Sequence, residues 1–199
     1  MLTRRISSLL CIAVLLTASG CGYNRFQSLD EDIKASWAEV LNQFQRRADL
    51  VPNLVNTVKG YASHEKEVFE QVTTARSQVS SIKIDESLLT NPEMFQKFQQ
   101  AQAGMGAALS RLIAVAENYP QLKADGMFRD LQAQLEGTEN RISVARKRYI
   151  DAVRDYNVLV RSFPSNLTAM IFGMSTKPTF TVENEKALAA PPQVDFSGK

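Results

Sequence analysis

A chain of 199 residues with 44% hydrophobic and 22% charged side chains can build one packed domain, and general disorder is excluded. Its formal charge of +2 comes from Arg4 and Arg5; without them the 23 basic residues fall to 21, equal to the 21 acidic ones. A neutral domain offers no electrostatic case for nucleic acid. The nine glycines and seven prolines lie mostly outside the periodic stretches, which favours long helices over a turn-rich β fold.

The first element is an address. "MLTRRISSLLCIAVLLTASGC" has two arginines, an apolar run from Leu9 to Leu16 and a small-residue end, the layout of a signal peptide over residues 1–20. The run is shorter than the roughly 20 apolar residues that a spanning helix needs. Ala18-Ser19-Gly20-Cys21 resembles a bacterial lipobox, with Ala18 where leucine is usual, so the Cys21 thiol would be diacylated and become the amino terminus. A plain cleaved leader and an uncleaved anchor are the alternatives. Cys11 leaves with the leader, so the mature domain would carry neither free thiol nor disulfide, as suits an oxidising envelope. Gly22 rather than Asp follows the cysteine, which under enterobacterial sorting rules does not call for inner-membrane retention. The expected place is the cell envelope, lipid-anchored on the periplasmic or extracytoplasmic side of a membrane. Residues 21–27 read as a lipidated terminus and short linker.

Residues 28–82 read as helix. Counting in sevens gives Trp37, Phe44, Val51, Val58, Glu65, Val72 and Val79, beside Val40, Arg47, Leu54, Tyr61, Val68, Ala75 and Ile82. A loop follows, with Asn91 or Thr90 as cap and Pro92 at the start of a second helix over about 93–118. Its rows are Phe98, Met105, Leu112 and Tyr119, with Met94, Ala101, Ala108 and Val115. A third helix over about 127–162 carries Phe128, Leu135, Ile142, Tyr149, Tyr156 and Phe163, with Leu131, Thr138, Ala145, Ala152 and Leu159. Asn166 to Met174 predicts a short fourth helix, and residues 175–199 an extended or partly disordered tail. The expected fold is all-α: an elongated antiparallel bundle of three long helices and a short C-terminal one, spanning residues 28–174.

Pro52 is the anomaly in the first stretch. An interior proline costs about 3 kcal/mol or more, whereas each large apolar side chain fully buried returns roughly 1.5–3 kcal/mol before entropy is counted. Because the apolar register continues across it, the favoured reading is one long helix kinked at Pro52. A break at "DLVPN", giving four comparable helices, is the other.

Laid out in this way, the chain resembles the LemA family of bacterial envelope proteins. "RRADLVPNLVNTVKGYASHE" at 46–65 matches the family's most recognisable block, with Arg47, Asp49, Pro52, Asn53, Leu54, Gly60, His64 and Glu65 in place. "AENYPQLKADGMF" at 116–128, which includes Glu117, matches a second block. "LQAQLEGTENRISVARKRYIDAVRDYN" at 131–157 matches a third, carrying Glu139, Asn140, Arg141, Ala145, Arg146, Tyr149 and Asn157. "FPSN" and "PPQVDF" match the end of the pattern. The third block departs once: Ile150 stands where relatives commonly have Asn. The resemblance implies a helical bundle at the membrane and no particular reaction.

Chemistry finds little purchase. His64 is the single histidine, and in "HEKEV" Val68 holds the place of the second zinc-binding histidine. No pair of Glu-x-x-His motifs, no Cys–His constellation, no serine elbow and no phosphate loop is present, so neither metal nor cofactor is expected and the reading is non-enzymatic. What remains is a polar set, Arg47, Asp49, Asn53, His64, Glu65, Glu117, Glu139, Asn140, Arg141 and Arg146, partly on packing rows. Buried charges persist only when paired. Two roles follow: an internal ion network that fixes helix register, or a polar groove at the Pro52 kink that receives a ligand or partner segment. Arg141, Arg146, Lys147 and Arg148 form a basic run that reads as a solvated face or as a contact for anionic lipid. The leading function is a membrane-tethered interaction domain for another envelope protein; the alternative is a lipid- or small-ligand-binding bundle.

Overall fold

The structure, a computed structural model, describes residues 2–181, with the backbone alone for residues 2–21 and Glu86. The described residues are all-α. They form α1 (Leu2–Tyr61), α2 (Lys66–Ser81), a 3-10 turn (Glu86–Leu89), α3 (Pro92–Val115), a second 3-10 turn (Ala116–Asn118), α4 (Pro120–Ala124), α5 (Gly126–Arg161) and α6 (Ser165–Ile171).

The stretch expected as one helix over 28–82 is two. α1 ends at Tyr61, and a turn at 62–65 reverses the chain into α2. The sevenfold register hides this turn, because Val58 and Val72 on either side of it are both fully buried. Glu65 therefore does not lie on a helical packing stripe. It is the residue before α2, where its charge faces the positive end of the helix dipole, and its Oε1 accepts the Tyr119 hydroxyl at 3.0 Å. α1 itself passes through Pro52 without interruption, so "DLVPN" is no loop. At its other end, residues 22–27 are helix rather than linker, and Phe26 is 1% exposed.

Asn91 caps α3, accepting from the backbone N–H groups of Glu93 and Met94, with Pro92 opening the helix. The buried residues of α3 are Phe95, Phe98, Gln102, Met105, Ala108, Leu109, Leu112 and Val115, so of the second expected row Ala108 and Val115 are buried, whereas Met94 and Ala101 are only half-buried and Phe95 and Gln102 take the stripe beside them. Asp125 caps α5 through the Phe128 N–H at 2.8 Å and accepts the Tyr61 hydroxyl at 2.8 Å; these bonds, the cap first, hold its carboxyl below the ordinary carboxylate range. α5 ends at Arg161, which leaves Phe163, expected on a core row, 81% exposed.

Long-range pairs fix how the helices run. Arg47 meets Glu139, Glu39 meets Arg148 and Phe26 meets Tyr156, so α1 and α5 are antiparallel. Trp37 meets Phe95 and Arg47 meets Gln102, so α1 and α3 are parallel. Buried apolar side chains fall into two clusters. One is mainly aliphatic, from Leu50, Leu54, Val58, Val72, Leu109, Leu112 and Leu131 among others. The other is aromatic, with Phe26, Trp37, Phe44, Phe95, Phe98, Tyr149, Tyr156 and Phe180.

Of the expected tail only residues 175–181 are described; they have no helix or strand, and Phe180 among them is buried in the aromatic cluster. A Schellman turn starts this stretch: Met174 N–H bonds Ala169 O at 2.8 Å, and Gly173 takes φ +66°, where a side chain would be strained. Asn157 then bonds both backbone groups of Lys177, at 2.8 and 2.9 Å, as a strand partner would. Tyr149 donates to Pro178 O at 2.9 Å, and Lys177 pairs with Asp30 at 2.6 Å. Residues 182–199, including the "PPQVDF" motif, lie outside the described residues, as does the side chain of Cys21.

Candidate functional site

Between the two clusters lies a polar layer. Arg47 of α1 falls on the packing row and is 4% exposed. Its Nη1 donates to Glu139 of α5 at 3.1 Å; its Nη2 donates to the Gln102 backbone oxygen of α3 at 3.0 Å and to the Gln102 side-chain oxygen. The guanidinium also sits 5.0 Å from the centre of the Phe44 ring. Gln102 is 7% exposed and Thr138 fully buried. Thr138 donates back to Gln134 O at 2.7 Å and accepts from Arg141 at 3.2 Å, while Arg141 Nε reaches Gln43 at 3.3 Å. One guanidinium thus links three helices at a single height.

A groove of about 420 Å³ opens beside this layer, lined by Phe44, Arg47, Gln102, Glu139, Arg146 and Phe180 among others. Pro52 is not part of its lining, so the groove is not the one expected at a proline kink. Glu139 keeps 44% of its side chain exposed, and the Arg146 guanidinium stacks 4.5 Å over Phe180. Ile150, at the position where Asn is common, lines the same groove. A carboxylate and two guanidinium groups at an apolar cleft suit a polar segment or a small polar ligand. No group of His, Cys, Asp or Glu among the described residues has the arrangement of a metal site.

The polar set named from sequence does not form one network. Arg47, Glu139, Arg141 and Arg146 gather at the layer and groove. Glu65 binds Tyr119 at the far end of the aliphatic cluster, where the bond to the carboxylate raises the hydroxyl's pKa. Glu117 pairs with Lys123 at 2.7 Å on the surface. Asp49 accepts from Gln45 at 2.8 Å within α1, and the backbone oxygen of Asn53 accepts from the Thr57 hydroxyl at 2.9 Å. His64 is exposed in the turn, and Asn140 borders a neighbouring surface cleft. The basic run is a solvated face, with Lys147 and Arg148 exposed, and two of its charges are paired within the chain: Arg148 with Glu39 at 2.7 Å and Lys147 with Asp151 at 2.8 Å. Sequence reasoning missed Gln102, Gln43 and Tyr119. For Gln102 a signal existed, since it completes the three-and-four spacing from Phe95 to Leu112.

The chain is similar to magnetosome proteins MamQ 1 and MamQ 2 of Paramagnetospirillum magneticum, each 25% identical over 193 residues, covering 88% of this chain and 70% of theirs. It is also similar to magnetosome protein MamQ of Magnetospirillum gryphiswaldense, 26% identical over 184 residues, 83% of this chain and 67% of that one. The LemA family pattern matches residues 36–196, from within α1 past the end of the 175–181 stretch that straps the aromatic cluster, and the chain belongs to the LemA family.

Proposed function

We propose that this chain is a membrane-tethered, non-enzymatic helical domain of the cell envelope that presents a surface to another envelope protein. The observation that carries the reading is that α1 runs from Leu2 into the aromatic core with no linker, and Phe26 is buried within two turns of Cys21. A tether on Cys21 would hold the domain at a fixed place and attitude near the leaflet. That raises its effective concentration toward partners there and narrows the orientations they meet. Family membership and likeness to magnetosome proteins support a place at a membrane. The polar layer supports a structural role for Arg47, whose donors meet partners within the chain.

The test is a pull-down from intact membranes with Cys21 retained, beside Cys21→Ser. A stoichiometric protein companion with the parent chain, reduced when Cys21→Ser releases the domain from membranes, is expected. Recovery of the chain without a companion would overturn the partner reading. The cleft beside Glu139 favours a second reading, a groove for a polar ligand or segment. Glu139→Gln separates the two, since its carboxylate is partly exposed: an unchanged melting temperature with a lost companion or ligand supports the groove.

A further inference from the structure

The large apolar side chains left exposed are not spread evenly. Phe163, Leu167, Met170, Ile171 and Phe172 are 81%, 51%, 78%, 77% and 57% exposed, and all lie on α6 or the turns flanking it. Contiguous apolar surface of this kind marks a partner or a membrane. Its position favours the membrane. α6 packs against the first described side chains of α1: a Cβ on Gly22 would stand 3.3 Å from the Thr168 hydroxyl oxygen, and the Tyr23 ring lies 4.7 Å from that of Phe172. The patch therefore sits one residue from Cys21.

Charge agrees. No Asp or Glu occurs before Asp30, nor between Asp155 and Glu183, so α6, its flanking turns and residues 22–29 of α1 carry no carboxylate, and Asp30 next to them is paired with Lys177 and Lys34. Arg25 and Arg161, both exposed, lie in these segments. An apolar face with cations beside it and no carboxylates in its own segments is the composition that binds an interface with anionic headgroups.

We propose that α6 and its flanking turns form a wedge that enters the headgroup and upper acyl region of the bilayer beside Cys21, a second contact that sets the tilt of the bundle. The inference rests on the membrane part of the proposed function, but not on acylation. An acylated Cys21 and a retained leader both put Gly22 at the bilayer surface. Met170, Ile171 and Phe172 would reach roughly 5–10 Å below the headgroups, the depth of an interfacial helix.

The full chain, reconstituted into phosphatidylethanolamine–phosphatidylglycerol vesicles with brominated acyl chains, tests this. Trp37 is the sole tryptophan and 5% exposed, so the parent gives the baseline. The Met170→Trp chain should add emission that brominated lipid quenches by about half or more, as expected for a side chain at acyl depth. Val144→Trp, on an exposed position in the middle of α5, should add emission that is not quenched. An unquenched added tryptophan in Met170→Trp, with the protein still sedimenting with the vesicles, overturns the wedge and leaves the tether standing. Quenching of Met170→Trp with loss of sedimentation in Cys21→Ser supports both. A dimer in detergent that Met170→Asp dissolves, with no quenching in vesicles, would assign the face to a second copy and overturn the proposal.

Discussion

The two ends of the bundle are built by different means. The aliphatic end is enclosed by helices on every side: α1, α2, α3 and α5, closed below by α4. The aromatic end has no α2 beside it, since α2 stops at Ser81; Leu88 and Leu89, Ala169 of α6 and Phe180 of the strap fill the place instead. Helix–helix packing continues along the chain and needs no special fastening. A strap of seven residues holds no internal helical bonds, so it is fastened one group at a time, by Asn157, Tyr149, Asp30 and Gln99. The polar layer at Arg47 lies between these two solutions. The fold thus separates a self-sufficient half from one that depends on side-chain staples, and it is the stapled half that adjoins Cys21.

Large truncations should break this contrast most visibly. Trp37 touches the rings of Phe95, Phe98, Tyr149 and Phe180. Trp37→Ala is expected to cost about 3–5 kcal/mol and Leu54→Ala, in the aliphatic half, about 2–5 kcal/mol, by denaturant unfolding. The informative readout is hydrogen exchange at the Lys177 amide, which Trp37→Ala should speed far more than Leu54→Ala. Equal acceleration would mean that the layer does not insulate the halves. Phe180→Ala, which removes the strap's one buried ring, should cost about 3 kcal/mol and shift Trp37 emission to the red, leaving α2 exchange unchanged.

The layer itself comes next. Arg47→Ala leaves the Gln102 side-chain oxygen without its donor and a void beside Phe44, for an expected loss of about 3 kcal/mol. Arg47→Met fills the space without the charge and should recover at least half of that loss. Glu139→Gln should cost under about 1 kcal/mol, because that carboxylate is partly in water. If Arg47→Met were as damaging as Arg47→Ala, the guanidinium bonds rather than packing would hold the register.

Local chemistry was legible in the sequence and distant chemistry was not. The periodicity of α3 and α5, the Asn91 cap, the short α6 and the all-α class follow from neighbours within a few positions. The turn at 62–65 escaped because its four residues left the sevenfold count intact, and because Glu65 reads as a charge on a stripe until its contact with Tyr119, 54 residues away, is known. Arg148 reads as part of a basic face until Glu39, 109 residues away, meets it. Phe163 kept the row pattern of α5 but lay beyond the helix end, where the pattern has no meaning. Of the candidate site, the charged members at the layer could be named; Gln102 stood on the α3 spacing, but the role of a polar residue on a stripe only becomes intelligible beside Arg47.

The smallest expected effect is the most local. Asp30 accepts from Lys177 at 2.6 Å and from Lys34 at 3.0 Å. Burial opposes its ionisation, but the two ammonium groups outweigh burial and hold its pKa below the ordinary 3.8. A carboxylate whose folded pKa is lowered stabilises the folded chain fully above 3.8, and the contribution is lost as the pH falls through the lower folded value. Asp30→Asn should therefore cost about 1 kcal/mol at neutral pH, and its melting temperature should fall less steeply than the parent's on acidification below 3.8. Because Lys177 belongs to the strap, the acid-sensitive loss should appear first as faster exchange at Lys177 and as redder Trp37 emission. Acid that loosened α2 at the same pH as the strap would show that the staple supports the whole bundle, and the contrast between the two ends would fail at its finest test.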